Sequence, residues 1–409
     1  MSAIDSSIAP ITFLAVLLAA CNGQGGAPGV SITDSAGVRV VEVSSVRNLD
    51  VPEWQTRLIY STVSGPSPVE LFEFGDAVLL ADSSLLIGDR RSPELIFLDS
   101  RGIVSSRMGR LGEGPGEYTN IDRVGVGIDG TVFVFDGRQQ RTTLLDTAGT
   151  VLAVQRVDLD GRFLPYMPLG RFARGGFSAV LEMRPLLPPG LQRDALLLIV
   201  TDSLSQVVDT VGQWPGKERH VTEDGNRWLQ VGYARTALYA GRGQYALVGT
   251  TDSLDLTLFE ESTPVLRLRG PPVPIPVTAA ERDAWATAFL AQYPEPRRPA
   301  ERRLMEQSTI NGTYPAFGAL AVSRSGTIWI GEYAKLGQRR RQWTVFARDG
   351  TPVGRLDLPI YVPRHIETEI AITYSPSHEL VDVTANHVAI LRKDAFDVQY
   401  VEVLEILRS

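Results

Sequence analysis

The chain has 409 residues, of which 44% are hydrophobic and 21% charged, and its formal net charge at pH 7 is −7. This composition is that of a globular protein with a large core, and it excludes a disordered chain. The acidic balance provides no basic face of the kind that binds nucleic acid, so we expect no nucleic-acid partner.

The chain begins with an apolar segment that ends at its one cysteine, Cys21. The run over residues 11–20 has the length of a secretory signal core and is too short to span a bilayer, which needs about 20 apolar residues. With Leu18-Ala19-Ala20 directly before the cysteine, the segment resembles the lipobox of bacterial lipoproteins. The resemblance implies a signal peptide over residues 1–20, a lipid on Cys21 and a flexible tether over residues 21–29.

A lipid-anchored protein of this kind would lie in the cell envelope, on the periplasmic face or in the outer membrane of a Gram-negative cell. Its N-terminal lipid would make the membrane one of its partners. Residues 1–10 contain no Lys or Arg, whereas a signal peptide usually begins with positive charge. An ordinary signal peptide, a plain apolar start and a misassigned translation start therefore stay open.

The body of the chain repeats one pattern of short apolar strands and turns. The clearest copy is residues 124–150, where the strand Val132-Phe133-Val134-Phe135 lies between an Asp-Gly turn and Asp136. Similar copies cover residues 77–102, 176–200, 244–259, 320–350 and 378–407. Six copies of this length predict an all-β fold, a six-bladed β-propeller. A further strand at 38–43 is expected to pair with residues 398–407 and close the ring.

Three segments make residues 30–409 resemble NHL-type six-bladed β-propellers, in particular a bacterial lipoprotein group of largely unassigned function. They are residues 34–40 (DSAGVRV), residues 109–118 (GRLGEGPGEY), and the strands that end in Asp89 and Asp136. The middle copies have Glu182 and Thr250 in place of the aspartate. The third and fourth blades therefore match the pattern least well.

Two insertions interrupt the repeats. Residues 278–281 (TAAE) have the spacing of a capping box, which predicts a helix that ends before Pro294, and a second short helix is predicted to end near Gln307. We expect this helical insertion, over about residues 278–307, to pack on the propeller. The other insertion, residues 214–228, contains His220 and is expected to be a surface loop. Either insertion could cap one mouth of the central channel.

Charged residues follow the second strand in several of the predicted blades. Because equivalent loops meet at one end of a propeller, these side chains form a candidate ligand-binding rim. Its members are Asp89, Asp136, Arg138, Glu182, Glu332 and Lys393. The alternative is structural, in which each acid binds its own turn and a neighbouring arginine. We expect Trp329 and Trp343 to belong to the core between blades.

Other motifs give little support to catalysis. The glycines at 109–116 are followed by a strand and not by the Gly-Lys-Ser/Thr and helix of a phosphate loop, so they predict a tight connection between blades. His220, His365, His378 and His387 are scattered, although His378 and His387 share the last blade. We therefore predict no metal, no cofactor and no catalytic residue.

The sequence leaves three hypotheses for function. The first is a lipid-anchored, extracytoplasmic propeller that binds a protein, peptide or glycan of the envelope. The second is a propeller-type lyase or hydrolase that uses channel carboxylates or histidines as acid and base. The third is a structural domain that scaffolds an envelope complex, which predicts a large exposed apolar patch instead of a polar channel.

Overall fold

The computed structural model describes residues 29–408, apart from 81–82, 147, 158–165, 184–187, 226, 361–379, 395 and 397. The predicted signal peptide, Cys21, His365 and His378 lie outside the described residues. Three strands precede the repeated units: β1 (Val30–Ser35), β2 (Val38–Val43) and β3 (Gln55–Ser61). No helix in the described part of the chain is long and apolar enough to cross a membrane.

The first three repeated units are antiparallel sheets of consecutive strands. Blade one contains β4 (Phe74–Leu79), β5 (Leu85–Asp89), β6 (Leu95–Leu98) and β7 (Val104–Met108). Blade two contains β8 (Ile121–Val126), β9 (Val132–Asp136), β10 (Arg141–Leu145) and β11 (Val151–Arg156). Blade three contains β12 (Tyr166–Arg171), β13 (Phe177–Met183), β14 (Gly190–Thr201), β15 (Val207–Val221) and β16 (Trp228–Gln230).

The last three units follow the same plan. Blade four contains β17 (Ala237–Arg242), β18 (Tyr245–Thr250), β19 (Asp255–Glu260) and β20 (Thr263–Arg269), with β2 and β1 added at its outer edge. Blade five contains β21 (Ala319–Val322), β22 (Ile328–Gly331), β23 (Arg340–Phe346) and β24 (Pro352–Pro359). Blade six contains β25 (Leu380–Val383), β26 (His387–Lys393), β27 (Gln399–Leu407) and β3.

The first strand of each blade lies at the centre of the molecule. These strands contact one another in the order β4, β8, β12, β17, β21, β25 and back to β4, which closes a ring of six blades. The predicted six-bladed β-propeller is therefore confirmed. Apolar side chains fill the spaces between neighbouring blades, and among them Trp329 and Trp343 are almost completely buried, as predicted.

The ring is closed by a different strand from the one predicted. β3 pairs with β27 as the fourth strand of blade six, and Tyr60 lies opposite Val403. β2, which was expected in this place, pairs in parallel with β20 of blade four. Its buried side chains, Val41 and Val43, join the apolar core between blades four and five. The prediction for residues 38–43 was therefore wrong in its pairing partner.

The predicted helical insertion is present between blades four and five. α1 (Ala279–Ala291) begins at Thr278 with a complete capping box, in which Glu281 N–H donates to Thr278 Oγ1 over 3.2 Å. α2 (Arg298–Met305) follows a short 3₁₀ turn. The second insertion is not the predicted loop, because residues 207–221 form β15 and extend blade three as a hairpin with β14.

Candidate functional site

The two faces of the propeller differ in the connections that they carry. The first and second strands of a blade are antiparallel, so the start of one lies beside the end of the other, as in the pairs Phe74 with Asp89 and Ile121 with Asp136. We call the face at which the first strands begin the entry face, and the opposite one the exit face. All six residues of the predicted rim lie in or next to entry-face connections.

Asp89 and Asp136 occupy equivalent positions and make equivalent bonds. Oδ2 of Asp89 accepts from Phe72 N–H over 2.7 Å, and Oδ2 of Asp136 accepts from Thr119 N–H over 2.6 Å. Their Oδ1 atoms accept from main-chain N–H groups of the following turn, at Arg91 and at Gln139. Both carboxylates are buried. Each one therefore joins the chain that enters its blade to the turn after the second strand.

Blades one and two are also linked by an ion pair beside these aspartates. Arg90 Nε lies 2.9 Å from Asp122 Oδ1, and Asn120 Nδ2 donates to the other oxygen of Asp122 over 2.6 Å. Burial raises the pKa of Asp122 above its ordinary value, although Arg90 acts in the opposite direction. Arg90, the neighbour of Asp89, thus binds the next blade.

The other predicted rim residues are dispersed. Arg138 is exposed, whereas Lys393 is half-buried at the end of β26. Glu332 forms an ion pair with Arg47, with Nε 3.1 Å from Oε1. Glu182 lines a small cavity between blades three and four. The structure therefore brings Asp89, Asp136 and Arg138 into one linked pair of blades and places Glu182, Glu332 and Lys393 in blades three, five and six.

The glycine-rich segment 109–116 is a connection between blades one and two. Glu117 accepts from Gly114 N–H over 2.8 Å and from Arg110 Nε over 2.8 Å, and both contacts lower the pKa of its carboxyl group. The guanidinium of Arg141, in the third strand of blade two, donates to the main-chain oxygen of Glu113. The segment continues into β8 and not into a helix, as the structural interpretation predicts.

The central channel is narrow. Its cavity is lined by first strands of all six blades and has a volume of about 40 Å³. A water molecule needs about 10–15 Å³ of such space, whereas drug-sized ligands occupy pockets of roughly 300–1,000 Å³. The channel has room for a few water molecules and none for a larger ligand.

Four charged side chains fill this channel, one each from blades one, two, four and six. Arg242 Nε donates to Asp382 Oδ1 over 2.8 Å, and its NH2 nitrogen lies 3.7 Å from Asp76 Oδ1. Arg123 Nε lies 3.5 Å from the other oxygen of Asp76. Asp382 also accepts from Leu79 N–H over 2.8 Å. This channel cluster joins opposite sides of the ring.

The charges of the channel cluster balance, with two arginines and two aspartates. Burial lowers the pKa of Arg123 to about 10, and the positive charge of Arg242 acts in the same direction. Burial also acts to lower the pKa of Arg242, but Asp382 and Asp76 together raise it above its ordinary value. At neutral pH both guanidinium groups stay protonated, so the cluster is a set of fixed ion pairs.

Blades three to five form a raised wall on the entry face. Ser308 Oγ, after α2, donates to Gln230 O over 2.6 Å, and Tyr233 Oη donates to Glu281 O over 2.8 Å. Tyr233, Tyr314 and Tyr333 pack together beneath α1, with ring centroids of the first two 4.9 Å apart. The predicted packing of the insertion on the propeller is therefore confirmed.

Exposed apolar side chains also lie in four connections of the entry face, three of them outside this wall and the fourth, at Leu336, beside it in blade five. They belong to connections at blades one, two, five and six, and their exposed fractions range from 57% to 87%: Phe72, Leu111, Leu336 and Phe396. Phe72 N–H is the group that Asp89 binds, so a buried carboxylate fixes the connection that carries an exposed aromatic ring. We call these four residues the apolar rim.

The described histidines do not form a site with one another. His220 lies in β15 of blade three, and His387 begins β26 of blade six. Among the described residues, no group of three or more His, Cys, Asp or Glu side chains could hold a metal ion.

The channel cluster is the feature that the sequence analysis missed. Each member is a charged residue inside an otherwise apolar first strand: Asp76 in FGDAVL, Arg123 in IDRVGV, Arg242 in ALYAGR and Asp382 in LVDV. A charge in a strand buried on both faces needs a partner of opposite sign. Comparison of the first strands of all six repeats would have found this signal.

No family model matches the chain, and no curated protein sequence matches it significantly. Similar solved structures include a "Putative exported protein" from Bacteroides fragilis, with 13% identity and a TM-score of 0.47 over 90% of this chain and 99% of that one. A DUF4221 family member from Bacteroides vulgatus has 8% identity and a TM-score of 0.44, over 88% and 99% of the two chains. Virginiamycin B lyase from Staphylococcus aureus has 8% identity and a TM-score of 0.38, over 87% and 99%. Similarity at this level carries no information about function.

Proposed function

We propose that this protein is a lipid-anchored propeller of the cell envelope that binds a partner protein on its entry face. The observation that carries the proposal is the apolar rim. Phe72, Leu111, Leu336 and Phe396 each expose more than half of their surface on one face. Exposed large apolar side chains that lie on one surface are typical of protein-binding sites.

The shape of the entry face supports a protein partner over a glycan. The helical insertion lies over blades three to five, Phe72, Leu111 and Phe396 of the apolar rim lie in connections outside it, and Leu336 lies beside it, next to the Lys335 that pairs with Glu281 of α1. A partner seated on the rim would therefore meet the wall laterally. Because Asp89 fixes the connection that carries Phe72, that side chain is presented by an ordered main chain.

The channel favours binding over catalysis. A lyase or hydrolase of the predicted alternative type needs channel carboxylates that are available as acid or base. Asp76 and Asp382 are instead paired with Arg123 and Arg242, and the cavity beside them measures only about 40 Å³. In this proposal, the channel cluster holds the blades together and the entry face binds the partner.

Two features of the proposal come from the sequence. Lipidation at Cys21 would hold the propeller at the membrane through the tether over residues 21–29. Segments 34–40 and 109–118 resemble those of NHL-type propellers, and we propose that the protein is a propeller of this type. Rim charges such as Arg138 and Lys393 would add polar contacts around the apolar rim.

Site-specific photocrosslinking in the native envelope tests the proposal. A photoreactive phenylalanine replaces Phe72, Leu111 or Leu336 on the entry face, and Ile128 or Leu204 serves as the exposed control on the exit face. We expect one protein to form adducts at the entry-face positions and not at the control positions. Equal adducts on both faces, or none at the three entry-face positions, would contradict the proposal.

A further inference from the structure

We infer that a small cavity between blades three and four binds a free amino acid of the size of glycine or alanine. The cavity has a volume of about 70 Å³ and lies between β13–β15 and β17. At roughly 10–15 Å³ for each water-sized group, it has room for about five to seven non-hydrogen atoms. This site is separate from the apolar rim, and the inference does not depend on the proposed partner.

Asp194 contributes a buried carboxylate to the lining of the cavity. Its side chain is only 4% exposed, and Oδ2 accepts from Arg219 Nε over 2.7 Å. Oδ1 is buried and has no hydrogen-bond partner among the residues that the structure describes. A buried carboxylate oxygen without a donor is costly, so a ligand that supplies N–H groups would relieve this cost. A primary ammonium group supplies three such donors.

The charges around the cavity favour a zwitterion over a simple cation. Glu182, Asp194 and Lys217 line the cavity, and Arg219 contacts Asp194, so two negative charges face two positive ones. Lys217 would repel a cation, whereas its ammonium group has three N–H donors and could bind a carboxylate in addition to its present partner. A ligand with an ammonium at one end and a carboxylate at the other matches both groups.

The walls of the cavity limit the side chain of that amino acid. Apolar groups form most of its lining, contributed by Ala195, Leu196, Ala237 and Leu238. A polar side chain placed against them would lose its hydration without gaining a hydrogen bond. Hydrogen or a methyl group fits both the walls and the volume.

Isothermal titration calorimetry of the full chain at pH 7 tests the inference. The probes are glycine and L-alanine, the single-ended analogues ethylammonium chloride and sodium acetate, and L-leucine. We expect glycine or alanine to bind, each analogue to bind at least about tenfold more weakly because it loses one charge-assisted hydrogen bond, and leucine not to bind. No binding of glycine and alanine, or equal binding of ethylammonium, would overturn the inference.

Variants locate the site. Asp194→Asn should weaken binding at least about tenfold, because it removes the acceptor charge. Asp255→Asn is the matched control, since Asp255 pairs with Arg267 at 2.6 Å outside this cavity and should leave binding unchanged. Lys217→Met provides a second variant if Asp194→Asn does not fold, as judged by circular dichroism. Folded variants that bind both glycine and alanine as the wild type does would overturn the assignment.

Discussion

The guanidinium of Arg242, in blade four, donates from Nε to Oδ1 of Asp382, in blade six, over 2.8 Å. Since blade five lies between them in the ring, the bond spans the central channel and ties together blades that do not touch through their outer strands. Asp76 and Arg123 extend the tie to blades one and two. The charged side chains of the channel therefore hold the blades of this propeller together.

Loss of one partner in the channel cluster should be strongly destabilising. Asp382→Ala leaves the buried Arg242 without its nearest counter-charge, so we expect the free energy of unfolding to fall by about 3–5 kcal/mol. The control is Asp255→Ala, which breaks an exposed ion pair with Arg267 and should cost less than about 1 kcal/mol. Urea titration measures both. Equal effects of the two substitutions would show that the channel cluster does not hold the blades together.

Substitution of Asp136 should lower the stability of the fold, because the role of this carboxylate is structural. Asp136→Ala leaves the N–H groups of Thr119 and Gln139 without their acceptor, and we expect a loss of at least about 2 kcal/mol in the free energy of unfolding. Thermal unfolding measures the loss, and Arg138→Ala, at an exposed neighbour, serves as the control. A variant that stays as stable as the wild type but loses its crosslinked partner would instead assign Asp136 to ligand binding.

Two substitutions in β3 test whether this strand closes the ring. Tyr60 in β3 is buried and donates through Oη to Ser83 O over 2.9 Å, whereas Leu58 in the same strand is about half exposed. Tyr60→Ala should cost about 3–5 kcal/mol, and Leu58→Ala less than about 1 kcal/mol. Amide hydrogen exchange should show β3 and β27 losing protection together in Tyr60→Ala. Unchanged protection in β27 would argue against β3 as the closing strand.

The capping box of α1 predicts a dependence of stability on pH. The N–H of Thr278 and the ammonium of Lys335 lower the pKa of Glu281 from its ordinary 4.5 to about 2. A carboxyl group whose pKa is lowered on folding stabilises the protein above its ordinary pKa, and this stabilisation is lost as the pH falls from about 4.5 to about 2. The melting temperatures of wild type and Glu281→Gln should therefore differ at pH 7 and converge in acid. Asp283→Asn, one turn into the same helix, controls for a general loss of charge, and a constant difference between wild type and Glu281→Gln would contradict the prediction.

Lipidation should depend on the single thiol of the chain. Cys21→Ser removes the predicted attachment site, so we expect the protein to leave the membrane fraction. Mass spectrometry of the wild-type N-terminus should find a diacylglyceryl group on Cys21, with residues 1–20 absent. Asn22→Gln, at the adjacent position, should leave both results unchanged. An unmodified Cys21 in mature membrane-bound protein would rule out the lipid anchor.

The repeat of strand and turn was enough to predict the blades, because each blade is built from neighbouring residues such as Val132 to Leu145. Contacts between strands that are far apart along the chain leave a weaker signal in the sequence. Residues 38–43 and 55–61 are both short strands that are buried only towards their C-terminal ends, and nothing local to them specifies whether blade four or blade six is the partner. For the same reason the unmatched Oδ1 of Asp194 became evident only in three dimensions.

For the candidate rim, too, the sequence predicts the features that depend on neighbouring residues but not the contacts between distant ones. Asp89 and Asp136 were predicted to lie at one end of the ring, which follows from the alternation of strand direction. Their hydrogen-bond partners, Phe72 and Thr119, belong to the connections from the preceding blade. The exposure of Phe72 and Leu111 depends on the packing around each connection, which the strand pattern does not encode.

Hydroxyl-radical footprinting tests the central claim, that the entry face binds a partner, most directly. Oxidation of Phe72, Leu111 and Leu336 is compared with that of Ile128 and Leu204, in the native envelope and in the purified protein. We predict that the three entry-face side chains are oxidised several-fold more slowly in the envelope, while the two exit-face side chains react equally in both. Equal oxidation of the entry-face side chains in both preparations, or protection confined to the exit face, would contradict the account.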